Sequence, residues 1–109
     1  MTFEEYQNNV QRTMNYNDPQ ELHNYLLGLA GEVGELLNYL KKHLHHGHEL
    51  NLIHAQEEIG DCLWHLGALC NVMGLPMDDV AYYNIMKLQK RCPKGFSHLA
   101  SIERKDIND

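Results

Sequence analysis

Leu22-His23-Asn24-Tyr25-Leu26-Leu27-Gly28-Leu29-Ala30-Gly31-Glu32-Val33-Gly34-Glu35-Leu36-Leu37-Asn38-Tyr39-Leu40 is the stretch that decides the fold. Leu22, Leu26, Leu29, Val33, Leu36, Leu37 and Leu40 recur at helical spacing, and Leu44 carries the stripe one turn further. Asp18-Pro19 ahead of it supplies an N-cap followed by proline at the first helical position. Lys41, Lys42 and His43 place cations near the end, where the helix dipole favours them, and Gly47 marks a stop. Glu32 and Glu35 border the stripe at i, i+3, so both carboxylates lie on one helix face.

The same design recurs downstream. Leu52, Ala55, Ile59, Cys62, Leu63, Leu66, Leu69 and Met73 form the stripe of a helix over about 51–73, broken by Gly74-Leu75-Pro76. Glu58 and Asp61 repeat the i, i+3 acidic spacing. Upstream, Thr2-x-x-Glu5 is a capping-box pattern opening a helix with Phe3, Tyr6, Val10 and Met14 on one face. Downstream, Pro76 opens a fourth helix to about Lys90, with Met77, Val80, Ala81, Ile85 and Leu88 apolar. Cys92-Pro93-Lys94-Gly95 ends it. No strand pattern competes. The expected fold is all-α: a single domain over 1–96, an antiparallel bundle of about four helices completed by homo-oligomerisation. Residues 97–109 are expected as a loosely held polar tail with one more turn of helix.

Composition narrows the class. The chain has 109 residues, 43% hydrophobic, enough for one small core, and a formal charge of −6. That charge speaks against a nucleic-acid or anionic-membrane surface. It does not exclude a nucleotide, because a metal can supply positive charge. Cys62, Cys70 and Cys92 are odd in number and form no C-x-x-C pair, so they read as free thiols in a reducing compartment, and the expected location is cytoplasmic. No apolar run is long enough for a membrane span, and the acidic N-terminus has no signal-peptide core.

Exposed helical carboxylates are common, and one such pair means little. Here neither pair has a Lys or Arg at i±4 to offset it. Two antiparallel helices would bring four carboxylates to one place, and a compact protein tolerates that mainly when a cation neutralises them. An all-oxygen set suits a hard ion such as Mg²⁺, with Mn²⁺ as the alternative. Gly28 and Gly31 share this face and serve either close helix packing or space beside the carboxylates.

The segments 28–36 (GLAGEVGEL) and 57–64 (EEIGDCLW) together resemble the E-x-x-E…E-x-x-D signature of MazG-like nucleotide pyrophosphohydrolases, of the all-α NTP pyrophosphatase superfamily. A third block, Asn84-Ile85-Met86-Lys87-Leu88-Gln89-Lys90-Arg91 before Pro93-Lys94-Gly95-Phe96, is similar to that family's N-x-x-K-L-x-x-R segment. The resemblance implies hydrolysis of a nucleoside or deoxynucleoside triphosphate to the monophosphate and pyrophosphate. It implies Mg²⁺ held by Glu32, Glu35, Glu58 and Asp61. Related alternatives are a dUTPase-like or a phosphoribosyl-ATP pyrophosphohydrolase-like activity. A different class is a non-catalytic oligomerisation module stabilised by metal.

Other residues carry two readings each. Asn84, Lys87 and Arg91 share one face of the fourth helix and read either as phosphate contacts, across a subunit interface, or as a solubilising helix end. Trp64 reads as a base-stacking residue or as core. His54 and His65 flank Glu58 and Asp61 at i−4 and i+4. The His43, His45, His46 and His48 cluster lies at a helix end. The expected assembly is a homodimer or homotetramer.

Overall fold

The computed structural model describes residues 1–15 and 18–107. It is all-helical: α1 Phe3–Gln11, α2 Glu21–His45, α3 Leu52–Met73, α4 Met77–Arg91 and α5 His98–Glu103. Helix ends follow local chemistry. Thr2 Oγ1 accepts from Glu5 N at 3.1 Å, capping α1. Asn51 caps α3 by accepting from the backbone N–H groups of Ile53 and His54. Gly47 and Gly74 follow α2 and α3 with φ of 72° and 70°, the left-handed conformation that costs glycine little. The Asp18-Pro19 expectation is corrected. Asp18 Oδ1 accepts from Gln20 N at 2.9 Å in a turn, and α2 begins two residues after Pro19. The further turn of helix expected in the tail is α5, the fifth helix among the described residues, capped by Ser97, which accepts from Ala100 N at 3.0 Å. Arg104 then clasps Asp106 through two hydrogen bonds of 3.0 Å.

α2 and α3 run antiparallel. Tyr25 and Gly28, early in α2, meet Trp64 and His65, and Tyr39, eleven residues after Gly28, meets His54 near the start of α3. α1 lies across α3. Gly67 lets Val10 approach so closely that a methyl there would stand 3.1 Å from Val10 Cγ2. Gln7 ties α1 to the α3–α4 turn: its Nε2 donates to Leu75 O at 2.8 Å and its Oε1 accepts from Met77 N at 2.7 Å. α4 packs on α1 and α5.

The buried core is small: among the described residues Val10, Met14, Tyr25 and Ala68 cluster with Tyr6, Trp64, Leu69 and Val72 packed around them, and Met77 is buried beside Gly67. Much of the apolar stripe of α2 faces outward, including Leu26, Leu37 and Leu44. The accessible surface is 8241 Å², about 2,000 Å² more than the roughly 6,200 Å² of a monomer of this mass. The radius of gyration, 17.2 Å, exceeds the ~13 Å of a compact chain of this length. Among the described residues, no helix is long and apolar enough to cross a membrane.

Candidate active site

Antiparallel pairing of α2 and α3 brings Glu32 opposite Glu58 and Asp61. One carboxylate oxygen from each of these three lies within 4.8 Å of the other two. No other set of three or more His, Cys, Asp or Glu side chains among the described residues converges in this way. Glu32 and Glu58 are half-buried, and Oε2 of each is buried without a protein hydrogen-bond partner. An orphaned carboxylate oxygen is costly unless something satisfies it. Burial pushes the Glu32 carboxyl above its ordinary value; the charges of Glu35, Asp61 and Glu58 push the same way, and His65 opposes them. The Cys62 thiol is pushed up by burial and then by Glu32, Asp61 and Glu58. The oxygen donors, their mutual repulsion and the two orphaned atoms fit a hard divalent cation.

The fourth carboxylate stands apart. Glu35 is exposed and outside the convergent trio, although its charge acts on Glu32. Two histidines attend the group. His54 Nε2 lies 3.4 Å from Glu58 Oε1, with Nδ1 3.9 Å from Glu57 Oε2. His65 Nδ1 lies 2.9 Å from Asp61 O. Sequence reasoning passed over Tyr39. Its ring meets His54 edge-on at 4.4 Å, and its hydroxyl accepts from Asn51 N at 2.7 Å and donates to Asn51 O at 3.1 Å. It thereby ties the start of α3 to α2. The signal was present: Tyr39 follows Glu35 by four residues, on the same helix face.

The remaining candidates lie elsewhere in this chain. Trp64 belongs to the core: its indole N–H donates to Thr13 Oγ1 at 2.8 Å, and its ring meets Tyr25 edge-on at 5.6 Å. Asn84 lines an apolar cleft with Leu66, Val80 and Ala81. Lys87 is exposed. Arg91 Nη2 approaches Ser101 Oγ at 3.4 Å, on the α5 side of α4. A single chain therefore gathers three carboxylates and leaves Asn84, Lys87 and Arg91 on a helix packed against α1 and α5. Gly31, Gly34 and Gly60 face open space, whereas Gly28 and Gly67 meet neighbours. His43 turns back onto its own helix end, its Nδ1 2.8 Å from His48 O, and no metal-type grouping forms in that cluster.

The comparison with family models gives the class of this all-helical domain. Residues 20–96 match the MazG nucleotide pyrophosphohydrolase domain, and the chain belongs to that family. A curated relative, the Gene 37 protein of Mycobacterium phage L5, is 34% identical over 73 residues, covering 63% of this chain and 64% of that protein. The chain thus spans less than two thirds of that relative's length. No solved structure matches it.

Proposed function

We propose that this protein is a divalent-metal-dependent hydrolase that cleaves a nucleoside or deoxynucleoside triphosphate to the monophosphate and pyrophosphate. The observation that carries the reading is the convergence of Glu32, Glu58 and Asp61 within 4.8 Å, with two carboxylate oxygens orphaned in the groove. These three carboxylates would hold Mg²⁺ or Mn²⁺, and Glu35 would join from the next turn of α2. When bound, the cation offsets negative charge that develops on the phosphate oxygens. Carboxylate oxygens beyond those occupied by metal accept hydrogen bonds from water and orient it. Half-burial of Glu32 and Glu58 limits competing solvent and strengthens these interactions.

A triphosphate also needs cationic side chains, and among the described residues the charges that act on Glu32 are those of Glu35, Asp61, His65 and Glu58, with no Lys or Arg among them. Lys87 and Arg91, with Asn84, would supply phosphate contacts from a second copy of the chain. The excess surface of about 2,000 Å² and the exposed leucines of α2 support such an assembly, since obligate interfaces bury on that order or more. Pyrophosphate release from a panel of nucleotides, with Mg²⁺ and with EDTA, tests the reading. Metal-dependent release on at least one triphosphate is expected. No release across the panel, with Mg²⁺ still raising the melting temperature, would leave the carboxylates a structural metal site. Light scattering tests the assembly: a mass of one chain at micromolar concentration would overturn it.

A further inference from the structure

One helical turn from the acidic trio, Gly28 of α2 meets His65 of α3. Gly28 precedes Glu32 by four residues, and His65 follows Asp61 by four. Because the helices are antiparallel, the Gly28–His65 contact and the acidic trio stack along one groove, about 5–6 Å apart. The contact is tight. A methyl at position 28 would overlap the imidazole, reaching 2.7 Å from Cδ2 and closer still to Nε2.

The ring is held on three sides. Nδ1 lies 2.9 Å from Asp61 O, and only a protonated Nδ1 makes that contact favourable, so Nδ1–H donates to the carbonyl. The ring edge meets Trp64 with centroids 5.0 Å apart at 74°. Trp64 is itself fixed by Thr13 and Tyr25. Nε2 is left facing α2 at Gly28. The imidazole is therefore a rigid spacer, tied at one edge to the backbone of Asp61 and resting at the other on α2. Gly31 and Gly34, further along the same helix, face open space, so Gly28 alone of these three sets a helix–helix approach.

We propose that Gly28 and His65 form a positioning pair that fixes the spacing and register of α2 and α3 at the acidic trio. Through that spacing the pair sets the affinity of Glu32, Glu58 and Asp61 for a divalent cation. The inference rests on the metal reading of the trio. A hard cation demands its oxygens within tenths of an ångström, so a small shift of α2 against α3 separates Glu32 from its two partners. Groups that orient metal ligands from behind typically change affinity by about 10- to 100-fold when removed.

The test is Mn²⁺ binding to the full chain without nucleotide, read by electron paramagnetic resonance of free Mn²⁺. Five proteins are compared: wild type, Gly28→Ala, His65→Ala, the Gly28→Ala/His65→Ala double variant, and Val10→Ala. Gly28→Ala and His65→Ala are each expected to weaken Mn²⁺ binding about 10-fold or more. The double variant should recover part of the loss, because the new methyl enters space the imidazole has left, so the two losses do not add. Val10→Ala weakens the core away from the carboxylates and should bind Mn²⁺ as wild type does while melting earlier. Wild-type affinity in both single variants overturns the proposal. So does an equal loss in Val10→Ala, since affinity would then follow global stability. If Gly28→Ala does not fold, His65→Ala against Val10→Ala decides the question. Wild type that fails to bind Mn²⁺ overturns the metal reading itself.

Discussion

Glu58→Gln keeps the shape of the side chain and removes one of three charges that crowd the α2–α3 groove. At separations up to 4.8 Å, each pair repels by about 1 kcal/mol if water dominates the screening and by about 3.5 kcal/mol at an effective dielectric near 20. The groups are partly exposed and screened by solvent, so the lower figure governs. The substitution removes two of the three repulsive pairs, a gain of about 1–2 kcal/mol for the metal-free protein. In a domain of this size that is a rise of roughly 4–10 °C in melting temperature. Mg²⁺ has the opposite bias: at about 100 times its dissociation constant it stabilises wild type by roughly 2.7 kcal/mol, most of which the variant loses. The two proteins should therefore change order, with the variant melting above wild type in EDTA and below it in Mg²⁺. Circular-dichroism melts at pH 8 and one fixed protein concentration measure this. A variant that melts at or below wild type in EDTA refutes the repulsion argument. Equal Mg²⁺ responses refute the shared site.

Lys87→Ala is expected to lower kcat/KM by about 10-fold or more on every nucleotide alike, since a charged hydrogen bond to phosphate contributes roughly 1.5–3 kcal/mol and phosphates are common to all substrates. Unchanged efficiency across the panel would return Lys87 to the solvated surface. Trp64→Ala should lower the melting temperature, by about 2–3 kcal/mol of stability given its partial exposure, and leave the ranking among bases intact; an altered ranking would place Trp64 at the base. The hydrogen bonds from Arg104 hold the Asp106 carboxyl below its ordinary value. A depressed carboxyl contributes stability that is complete above the ordinary carboxylate range and lost as pH falls through its lowered value. The α5 segment should therefore loosen in acid, and Arg104→Gln should loosen it already at neutral pH. Amide exchange of residues 98–104 reads both.

The sequence was most informative where structure is local. Thr2, Gly47, Gly74 and the proline at 76 announced helix ends because each acts on backbone within a few residues of itself. Asp18-Pro19 misled by two residues because aspartate satisfies a turn amide as readily as a helix amide. The trio of Glu32, Glu58 and Asp61 was legible because i, i+3 spacing on two antiparallel helices leaves few other arrangements. What the pattern does not encode is the rotation of one helix against another. That rotation leaves Glu35 outside the trio, commits Trp64 to Thr13 and brings Tyr39 onto Asn51. The relation of α4 to the carboxylates is further removed, since in the proposed assembly it depends on packing between chains as well as within one.

The double hydrogen bond of Gln7 has a dynamic consequence. Met77 N is one of the first amides of α4, which no helical carbonyl can satisfy, and Gln7 satisfies it from a different helix. When α1 detaches, that amide and the Leu75 carbonyl both lose their partner, and the α3–α4 turn keeps only its own backbone hydrogen bonds. α1 and α4 should then open together as one cooperative unit in hydrogen exchange, while the long α2–α3 pair exchanges as another. The chain would thus have two separately breathing parts. The carboxylates sit on the slower one and Lys87 and Arg91 on the faster one. A fluctuation beginning at the N-terminal helix reaches the cationic helix through Gln7 and the acidic groove only through Thr13, which fixes Trp64 beside His65.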